Sequence, residues 1–382
     1  MNRLSDFKTL CVHAGELKDT KHGGAISPLY ASTSYVFDDM DIKQYPRYFN
    51  TPNQRGLVEK VAALEGAETG LIFGSGMAAV STALLSHLKS GDHVIFQDDI
   101  YGGTRNFIKM EFPKYGIDYS FAKGIEVEYF KSEITSKTKG IYIESPSNPL
   151  LKIIDLKAIS ELAKSESLWT MIDNTFASPV NQKPISHGID IVIHSATKYL
   201  GGHSDISAGV VVSSKPIIKK VFESAKNLGG NLSEYTVWLL ERSIKTLFIR
   251  VQAQNNNAMI LSNFLQEQDW VKKVYYPGLE NHEGHNTAKK QMSGFGGMLS
   301  FNLVLGIDTK KFLMGLEMIK PTMSLAGVES TALSPRLTSH ALLSEEERQA
   351  QGINEQMVRF SSGIEGVEDI KNDILQSISK IS

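Results

Sequence analysis

Two short segments place a carboxylate and an amine where buried strands are expected to end. The sequence reads DNT at residues 173–175 and HSATKYLGGH at residues 194–203. Asp173 follows the apolar run WTMI, and Lys198 comes shortly after the run IDIVI. Because open parallel sheets bind ligands beyond the carboxyl ends of their strands, both side chains are expected to face one crevice. A buried ion pair, or a lysine that extends its amine to solvent, would also account for them.

The combination of this lysine and this aspartate predicts a Schiff-base site. A lysine amine condenses with the aldehyde of pyridoxal phosphate, and a carboxylate at the pyridine nitrogen keeps the ring protonated and electron-withdrawing. The cofactor phosphate needs a cradle, and residues 74–77, GSGM, lie between a predicted strand and a predicted helix. Backbone N–H groups and the positive helix end would face the anion there. Tyr101 follows another strand at the same edge of the sheet, where it could stack on the ring or be an ordinary turn residue.

The glycine-rich loop leaves a second cofactor class open. Residues 74–79, GSGMAA, also fit the dinucleotide fingerprint G-x-G-x-x-A. Asp98 and Asp99 lie about 20 residues further on, where a ribose-binding acid would be expected. A dinucleotide-dependent oxidoreductase is therefore an alternative, although it leaves Asp173 and Lys198 unexplained.

The elements that would position these residues alternate along the chain. Apolar runs that predict buried strands occupy residues 71–73, 94–96, 140–143, 169–172, 189–193 and 208–212. Helical spacing between them is carried by Val80, Leu84, Leu88, Leu156, Ile159 and Ala163. Strands and helices in this order predict a largely parallel sheet covered on both faces.

The pattern changes character from about residue 226. Residues 234–265 predict one or two long helices, residues 297–303 alternate like a half-exposed strand, and residues 367–381 predict a final helix. We place a domain boundary near residue 250 because of this change. The chain is then divided into an aperiodic N-terminal arm (1–55), a cofactor-binding domain (56–250) and a C-terminal domain (251–382).

Composition excludes several classes of protein. The 382 residues include 40 Lys and Arg against 42 Asp and Glu, so no net field attracts nucleic acid or an anionic membrane. Cys11 is the only cysteine, which excludes an intrachain disulfide and a cysteine-rich zinc site. The absence of a signal peptide and of a long apolar stretch predicts a cytoplasmic protein. His282 and His285 have a metal-like spacing, but their turn-rich context predicts a surface loop without a metal.

The segments described so far resemble the Cys/Met-metabolism family of pyridoxal-phosphate enzymes. This family includes cystathionine γ-synthase, cystathionine γ-lyase, cystathionine β-lyase, methionine γ-lyase and the O-acylhomoserine sulfhydrylases. The resemblance runs from His13 to the last helix, and its most specific stretch is SATKYLGGHSD at residues 195–205. It implies an α/β aminotransferase-like fold of type I, with a mostly parallel central sheet and a smaller α/β C-terminal domain. It also implies pyridoxal 5'-phosphate, an amino-acid substrate, and a homotetramer of dimers with shared active sites.

The resemblance implies catalytic and cofactor-binding roles for matching positions. Lys198 would hold the cofactor and move protons, Asp173 would pair with the pyridine nitrogen, and Tyr101 would stack on the ring. The positions that would bind the phosphate within one subunit are Gly76, Met77, Ser195 and Thr197.

Other matching positions imply a shared site and a substrate pocket. Tyr45 and Arg47 would reach the phosphate of a neighbouring subunit, which would explain the aperiodic arm. Arg359 would bind the substrate α-carboxylate, since a guanidinium fork suits a carboxylate. Ser324 and Asn148 would lie on the substrate side of the cofactor.

Two positions indicate the branch of the family, and both point to the cystathionine γ-enzymes. Methionine γ-lyases typically carry cysteine where this chain has Gly103, and β-lyases tend to carry tyrosine where it has Glu329. The expected activity is therefore γ-elimination or γ-replacement on cystathionine, methionine or an O-acylhomoserine. Cystathionine β-lyase or methionine γ-lyase activity is the alternative within the family, and a non-catalytic regulatory protein is a further one.

The chain departs from the family pattern at two places. Asn50-Thr51-Pro52 stands where Asn-Pro-Thr is usual, so the loop after Arg47 is expected to differ. Arg336 follows a serine and a proline where a histidine, a proline and a small residue are usual. This extra arginine could select an acidic leaving group or simply be solvated, and solvation is the expectation because most arginines lie at the surface.

Overall fold

A seven-stranded sheet forms the centre of the protein. The computed structural model describes residues 5–36, 43–338, 340–341 and 343–381, so residues 1–4 and 37–42 of the predicted arm lie outside the described residues. The strand order is β1-β7-β6-β5-β4-β2-β3. The strands are β1 (Thr69–Phe73), β2 (His93–Gln97), β3 (Asp118–Ala122), β4 (Thr138–Glu144), β5 (Trp169–Asp173), β6 (Ile191–Ser195) and β7 (Gly209–Ser213).

Helices cover both faces of this sheet, so the side chains on both faces of its strands are buried. Strands β2 to β6 pair in parallel, whereas β7 runs antiparallel to β6 and to β1. Adjacent residues of β4 enter different apolar clusters, with Ile141 in one and Tyr142 in the other. The helices of this region are α1 (Phe7–His13), α2 (Pro52–Glu65), α3 (Gly76–His87), α4 (Gly102–Glu111), α5 (Val127–Ser132), α6 (Leu156–Ser165), α7 (Ser178–Asn181), α8 (Lys215–Leu228), α9 (Glu234–Ile244) and α10 (Leu247–Gln266).

A second, antiparallel sheet follows in the order β10-β11-β9-β8. Its strands are β8 (Val271–Tyr275), β9 (Met298–Leu303), β10 (Thr331–Leu333) and β11 (Met357–Ser361). The helices around it are α11 (His285–Gln291), α12 (Thr309–Gly315), α13 (Glu345–Ala350) and α14 (Val367–Ser379). No helix in the described part of the chain is long and apolar enough to cross a membrane.

The six predicted strands of the central sheet are present, whereas β3, β8, β10 and β11 were not predicted. Strand β3 was missed because its sequence, DYSFA, contains no apolar run. Strand β9 is buried along its whole length, whereas its alternation predicted a half-exposed strand. Its polar residues can be buried because their side chains form hydrogen bonds. For example, the Ser300 hydroxyl donates to the Pro149 carbonyl at 2.7 Å.

Helix α10 contributes to the cores of both sheets. Val251 packs in the core of the central sheet, while Leu261 packs in the core of the second sheet. The boundary predicted near residue 250 falls inside this continuous helix. We propose that the two domains meet along α10, which makes it the element that sets their relative position.

The unusual order of residues 50–52 forms the start of a helix. Thr51 is the N-cap of α2, and its side chain and that of Gln54 form a capping box. Pro52 occupies the first helical turn, where its missing N–H costs nothing. The departure from the family pattern therefore produces a well-capped helix directly after the Arg47 loop.

Leu261→Ala tests the contribution of α10 to the second core. The side chain is fully buried, so we expect the free energy of unfolding to fall by about 2–5 kcal/mol. Urea unfolding measures this change. The neighbouring Ile260 is 41% exposed and provides the matched control, since Ile260→Ala should cost about 1 kcal/mol or less. Equal losses for the two variants would contradict the placement of this helix.

Candidate active site

Three parallel strands end side by side with polar residues. Asp173 is the last residue of β5, Glu144 is the last residue of β4, and the two are register partners. Ser195 ends β6, and Lys198 follows three residues later. The carboxyl edge of the sheet thus brings together the segments that the sequence analysis singled out.

Lys198 is half-buried, and its amine is held by a serine. Its Nζ donates to Ser324 Oγ at 2.6 Å. Burial lowers the pKa of Lys198 to about 8, helped by the nearby Arg359 charge and opposed by Asp173. A fraction of this amine is therefore unprotonated near neutral pH, which is the form that attacks an aldehyde.

Asp173 is a buried carboxylate without a cationic partner of its own. Its Oδ1 accepts hydrogen bonds from the Thr175 N–H at 3.0 Å and the Thr175 hydroxyl at 2.5 Å. Burial raises the pKa of Asp173, an effect that the Thr175 hydrogen bonds partly offset. Among the described residues, no lysine, arginine or histidine lies within ion-pair distance of it. A protonated pyridine ring would provide the missing positive charge.

The loop before α3 packs closely against the end of β6. A Cβ added at Gly76 would lie 2.8 Å from the Ser195 Cβ, and one added at Gly209 would lie 2.1 Å from the Ser75 carbonyl oxygen. Only glycine fits at these two positions, so the first N–H groups of α3 lie beside Ser195. Thr197 exchanges hydrogen bonds with Ala208 that fix the turn after Ser195. This arrangement suits a phosphate group at the start of a 12-residue helix.

Arg359 brings an unpaired positive charge from the second sheet. It lies in the middle of β11, and the residue is only 5% exposed. Its guanidinium donates to Asn148 Oδ1 at 3.1 Å and to the Ser324 carbonyl at 2.9 Å. Burial lowers its pKa to about 10, and no carboxylate of the described chain forms an ion pair with it. The site is therefore suited to a carboxylate group from a small molecule.

Tyr101 lies at the start of α4 beside the same strand ends. Its backbone N–H donates to Glu144 Oε2 at 2.8 Å, while its side chain remains 43% exposed. Burial, and then the charge of Asp173, raises the pKa of Glu144 well above its ordinary value. A Cβ at Gly103 would come within 2.5 Å of the Tyr101 ring, so a side chain there would displace the ring. The Thr104 hydroxyl on α4 donates to Met77 Sδ on α3 at 3.7 Å.

Tyr45 and Arg47 are not brought to this site in the same subunit. The Arg47 guanidinium donates to the Lys226 carbonyl at 2.5 Å and lies over the rings of Tyr45 and Tyr48. Tyr45 remains largely exposed. Their predicted contact with a neighbouring subunit stays a prediction.

Glu144 and Thr175 belong to the site, although no role was predicted for either from the sequence. Glu144 could have been found by the pattern that identified Asp173, because each is an acidic residue at the end of a buried apolar strand. Thr175 follows Asp173 by two residues, the spacing at which a side chain folds back onto a carboxylate.

The structure does not support the dinucleotide alternative. Strand β1, which precedes the glycine-rich loop, is an edge strand antiparallel to β7 rather than the central strand of a parallel unit. Asp99 is already bound by the Gln97 amide and the Ser147 hydroxyl, and Asp98 pairs with Arg105.

His282 and His285 have structural partners. The His285 Nδ1 bonds to the Pro277 carbonyl and its ring stacks on Phe295, while His282 Nδ1 accepts from the Gly284 N–H. The described residues contain no group of three or more side chains able to hold a metal ion.

The pH dependence of cofactor attachment tests the state of Lys198. The rate at which pyridoxal phosphate attaches to cofactor-free protein should rise with pH around a midpoint near 8, because only the unprotonated amine reacts. Arg359→Gln removes a neighbouring positive charge, so the midpoint should move upward. Absorbance after rapid mixing measures the rate, and Arg336→Gln is the control. A midpoint near that of an ordinary lysine would contradict the assignment.

Gly209→Ala tests the packing behind the glycine-rich loop. The added methyl group meets a backbone oxygen, so the loop must move and cofactor binding should weaken by about tenfold, or about 1.4 kcal/mol. Gly74→Ala, in the glycine-rich loop itself, is the matched control, since its added Cβ would have ordinary contacts of 3.7 Å. Equilibrium dialysis against pyridoxal phosphate measures both. Unchanged binding by Gly209→Ala would show that the loop does not hold the cofactor.

Comparisons with known proteins agree with this geometry. The profile of the Cys/Met metabolism PLP-dependent enzymes matches residues 8–379. A cystathionine beta-lyase of Lactococcus lactis subsp. cremoris (strain MG1363) is 40% identical over 380 residues, covering 99% of this chain and 100% of its own length. A cystathionine gamma-lyase of Bacillus subtilis (strain 168) is 40% identical over 377 residues, covering 98% and 99% of the two chains.

The fold is also that of solved relatives. The cystathionine gamma-lyase from Lactobacillus plantarum complexed with L-serine has a TM-score of 0.95 and 36% identity, over 98% of this chain and 99% of that chain. These similarities confirm the predicted fold class and the predicted cofactor, pyridoxal phosphate. The chain therefore belongs to the Cys/Met metabolism family of pyridoxal-phosphate-dependent enzymes.

Proposed function

We propose that this enzyme is a carbon–sulfur lyase that cleaves the γ-substituent of a thioether amino acid such as cystathionine. The observation that carries the proposal is the buried Arg359 guanidinium, which lacks an acidic partner in the described chain and shares Ser324 with Lys198. A substrate α-carboxylate bound at Arg359 would place the α-carbon close to the Lys198 amine. Relatives named as cystathionine lyases support sulfur amino acids as substrates.

Some residues of the site would hold the cofactor, and Lys198 would transfer protons. Pyridoxal phosphate, when bound to Lys198, supplies a ring that withdraws electrons from the substrate α-carbon. Asp173 would hold the positive charge of the ring nitrogen, and Tyr101 would stack on the ring. The amine of Lys198, freed by the substrate, would take the α-proton and then move protons at the β-carbon while Ser324 Oγ holds it.

The other end of the cofactor would be held by backbone and hydroxyl groups. Gly76 and Met77 at the start of α3, with Ser195 and Thr197, would bind the phosphate. Asn148 would lie against the substrate carboxylate, because it already accepts a hydrogen bond from Arg359.

The environment of two side chains favours γ-elimination from a thioether over cleavage of an acidic ester. Arg336 is paired with Glu355 and lies 3.5 Å from Glu345, so it is not free to bind a succinyl or phosphoryl leaving group. Glu329 is half-buried, and within the described residues its carboxylate makes no hydrogen bond or ion pair. The γ-carbon assignment follows from the family resemblance at this position, where β-lyases tend to carry tyrosine. Methionine γ-lyase or cystathionine β-lyase activity is the alternative, and γ-replacement on an O-acylhomoserine is a further one.

We also propose a homotetramer of cytoplasmic location, built from dimers that share active sites. The position of Arg47 and the exposed Tyr45 support the sharing of sites between subunits, because neither contacts the site of its own subunit. In the assembly both would reach the phosphate of the neighbouring subunit.

The products formed from cystathionine test the reaction type. Cleavage at the γ-carbon, with one water consumed, gives cysteine, 2-oxobutanoate and ammonia, whereas β-cleavage gives homocysteine, pyruvate and ammonia. We expect 2-oxobutanoate as the main keto acid, identified by chromatography. Lys198→Ala should form no borohydride-trapped cofactor adduct and no keto acid, and Arg336→Gln should keep the activity. Pyruvate as the main product would show that the enzyme is a β-lyase.

Replacement of Arg47 tests the shared site. Arg47→Ala should weaken cofactor retention by about tenfold or more in the assembled oligomer, since it removes a charged hydrogen-bond donor to the phosphate. Equilibrium dialysis, run alongside light scattering to record the assembly state, measures this. The same loss in a monomeric preparation would contradict a cross-subunit role.

A further inference from the structure

A buried glutamate joins the ends of the two strands that carry Asp173 and Ser195. Glu65 is the last residue of α2, and its side chain is fully buried. Its Oε1 accepts from His194 Nε2 at 2.5 Å and from Asn174 Nδ2 at 3.0 Å. His194 immediately precedes Ser195, and Asn174 immediately follows Asp173. One carboxylate oxygen of Glu65 therefore binds the neighbour of Asp173 and the neighbour of Ser195.

Hydrogen bonds between amides extend this connection to a third strand. Asn174 Oδ1 accepts from Gln182 Nε2 at 2.9 Å, and the same amide donates to the Ser145 carbonyl at 2.8 Å. Ser145 follows Glu144 at the end of β4. Every amide in this series is buried, so the ends of β4, β5 and β6 are held by one continuous network.

The charge of this network reaches Asp173. Burial raises the pKa of Asp173, and the neighbouring His194 opposes this rise together with the larger effect of the Thr175 hydrogen bonds. Glu65 accepts the His194 hydrogen bond in a fully buried position, and a buried carboxylate that lost this partner would be left uncompensated. The other oxygen, Glu65 Oε2, has no hydrogen-bond partner in the described structure.

We propose that Glu65 and His194 are positioning residues for the cofactor. They hold the strand ends of Asp173 and Ser195 at the separation that allows the ring nitrogen and the phosphate to be bound at once. The inference rests on the function proposed above, which assigns Asp173 to the ring nitrogen and Ser195 to the phosphate. Neither Glu65 nor His194 needs to touch the cofactor or the substrate.

The test compares amide variants of buried residues. Glu65→Gln keeps the shape of the side chain and removes its charge, and His194→Gln keeps a donor toward Glu65. Glu241→Gln is the matched control, because Glu241 is also a buried glutamate but has no hydrogen bond to these strand ends. Cofactor-free protein is prepared from the holoenzyme and reconstituted with pyridoxal phosphate labelled with ¹⁵N in the ring.

Two readouts besides activity are measured. The first is the dissociation constant for pyridoxal phosphate, and the second is the ¹⁵N chemical shift of the bound ring nitrogen. Both Glu65→Gln and His194→Gln should weaken binding on the order of tenfold, because each variant weakens the Glu65–His194 hydrogen bond that joins the two strand ends. Their ring-nitrogen resonance should move toward the unprotonated position, as it should in Asp173→Asn. Glu241→Gln should match the wild type in both readouts.

The outcomes separate this inference from the proposed function. Wild-type affinity and chemical shift in folded Glu65→Gln would overturn the inference, even if the variant unfolds more readily. If Glu65→Gln does not fold, His194→Gln decides by the same two readouts. A wild-type protein that binds no pyridoxal phosphate at Lys198 would overturn the proposed function itself, before any variant is compared.

Discussion

The site depends on a buried negative charge that the protein does not neutralise by itself. Asp173 closes a central strand, receives only hydrogen bonds from Thr175, and has no ion-pair partner in the described chain. Such a group is costly to bury unless a cation joins it. Burial has a different consequence for the neighbouring Lys198, because it favours the neutral, reactive form of the amine. A cofactor with a positive ring nitrogen and an aldehyde would compensate the charge of Asp173 and react with the amine of Lys198.

The second sheet contributes what the first one lacks. Arg359 on β11 reaches the carboxyl edge of the central sheet through Asn148, and Ser324 bonds to both Arg359 and Lys198. In the proposed function, the substrate carboxylate would be bound from the second sheet and the reacting amine would come from the end of β6 in the first. Because α10 packs in both cores, any shift of this helix would alter the distance between them.

Much of the central domain could be predicted because its signals are local. Each apolar run ends in a polar residue within a few positions, so Asp173 and Lys198 were recognisable without any partner. Strand β3 and most of the second sheet escaped prediction, because edge strands and antiparallel pairs mix polar and apolar residues. The half-exposed strand expected at 297–303 is buried, since its polar side chains find hydrogen bonds from distant segments.

The sequence by itself determined the type of chemistry: a lysine, an aspartate and a glycine-rich loop at strand ends, in a family pattern that names the cofactor. Only the tertiary structure decided which charges are satisfied. Arg336 and Arg359 are 23 positions apart, yet the first is paired with Glu355, and the second is buried and forms no ion pair with any acid among the described residues. Likewise, Glu65 meets His194 across 129 residues. Ion pairing and burial depend on which segments meet in space, and residue spacing along the chain does not contain that information.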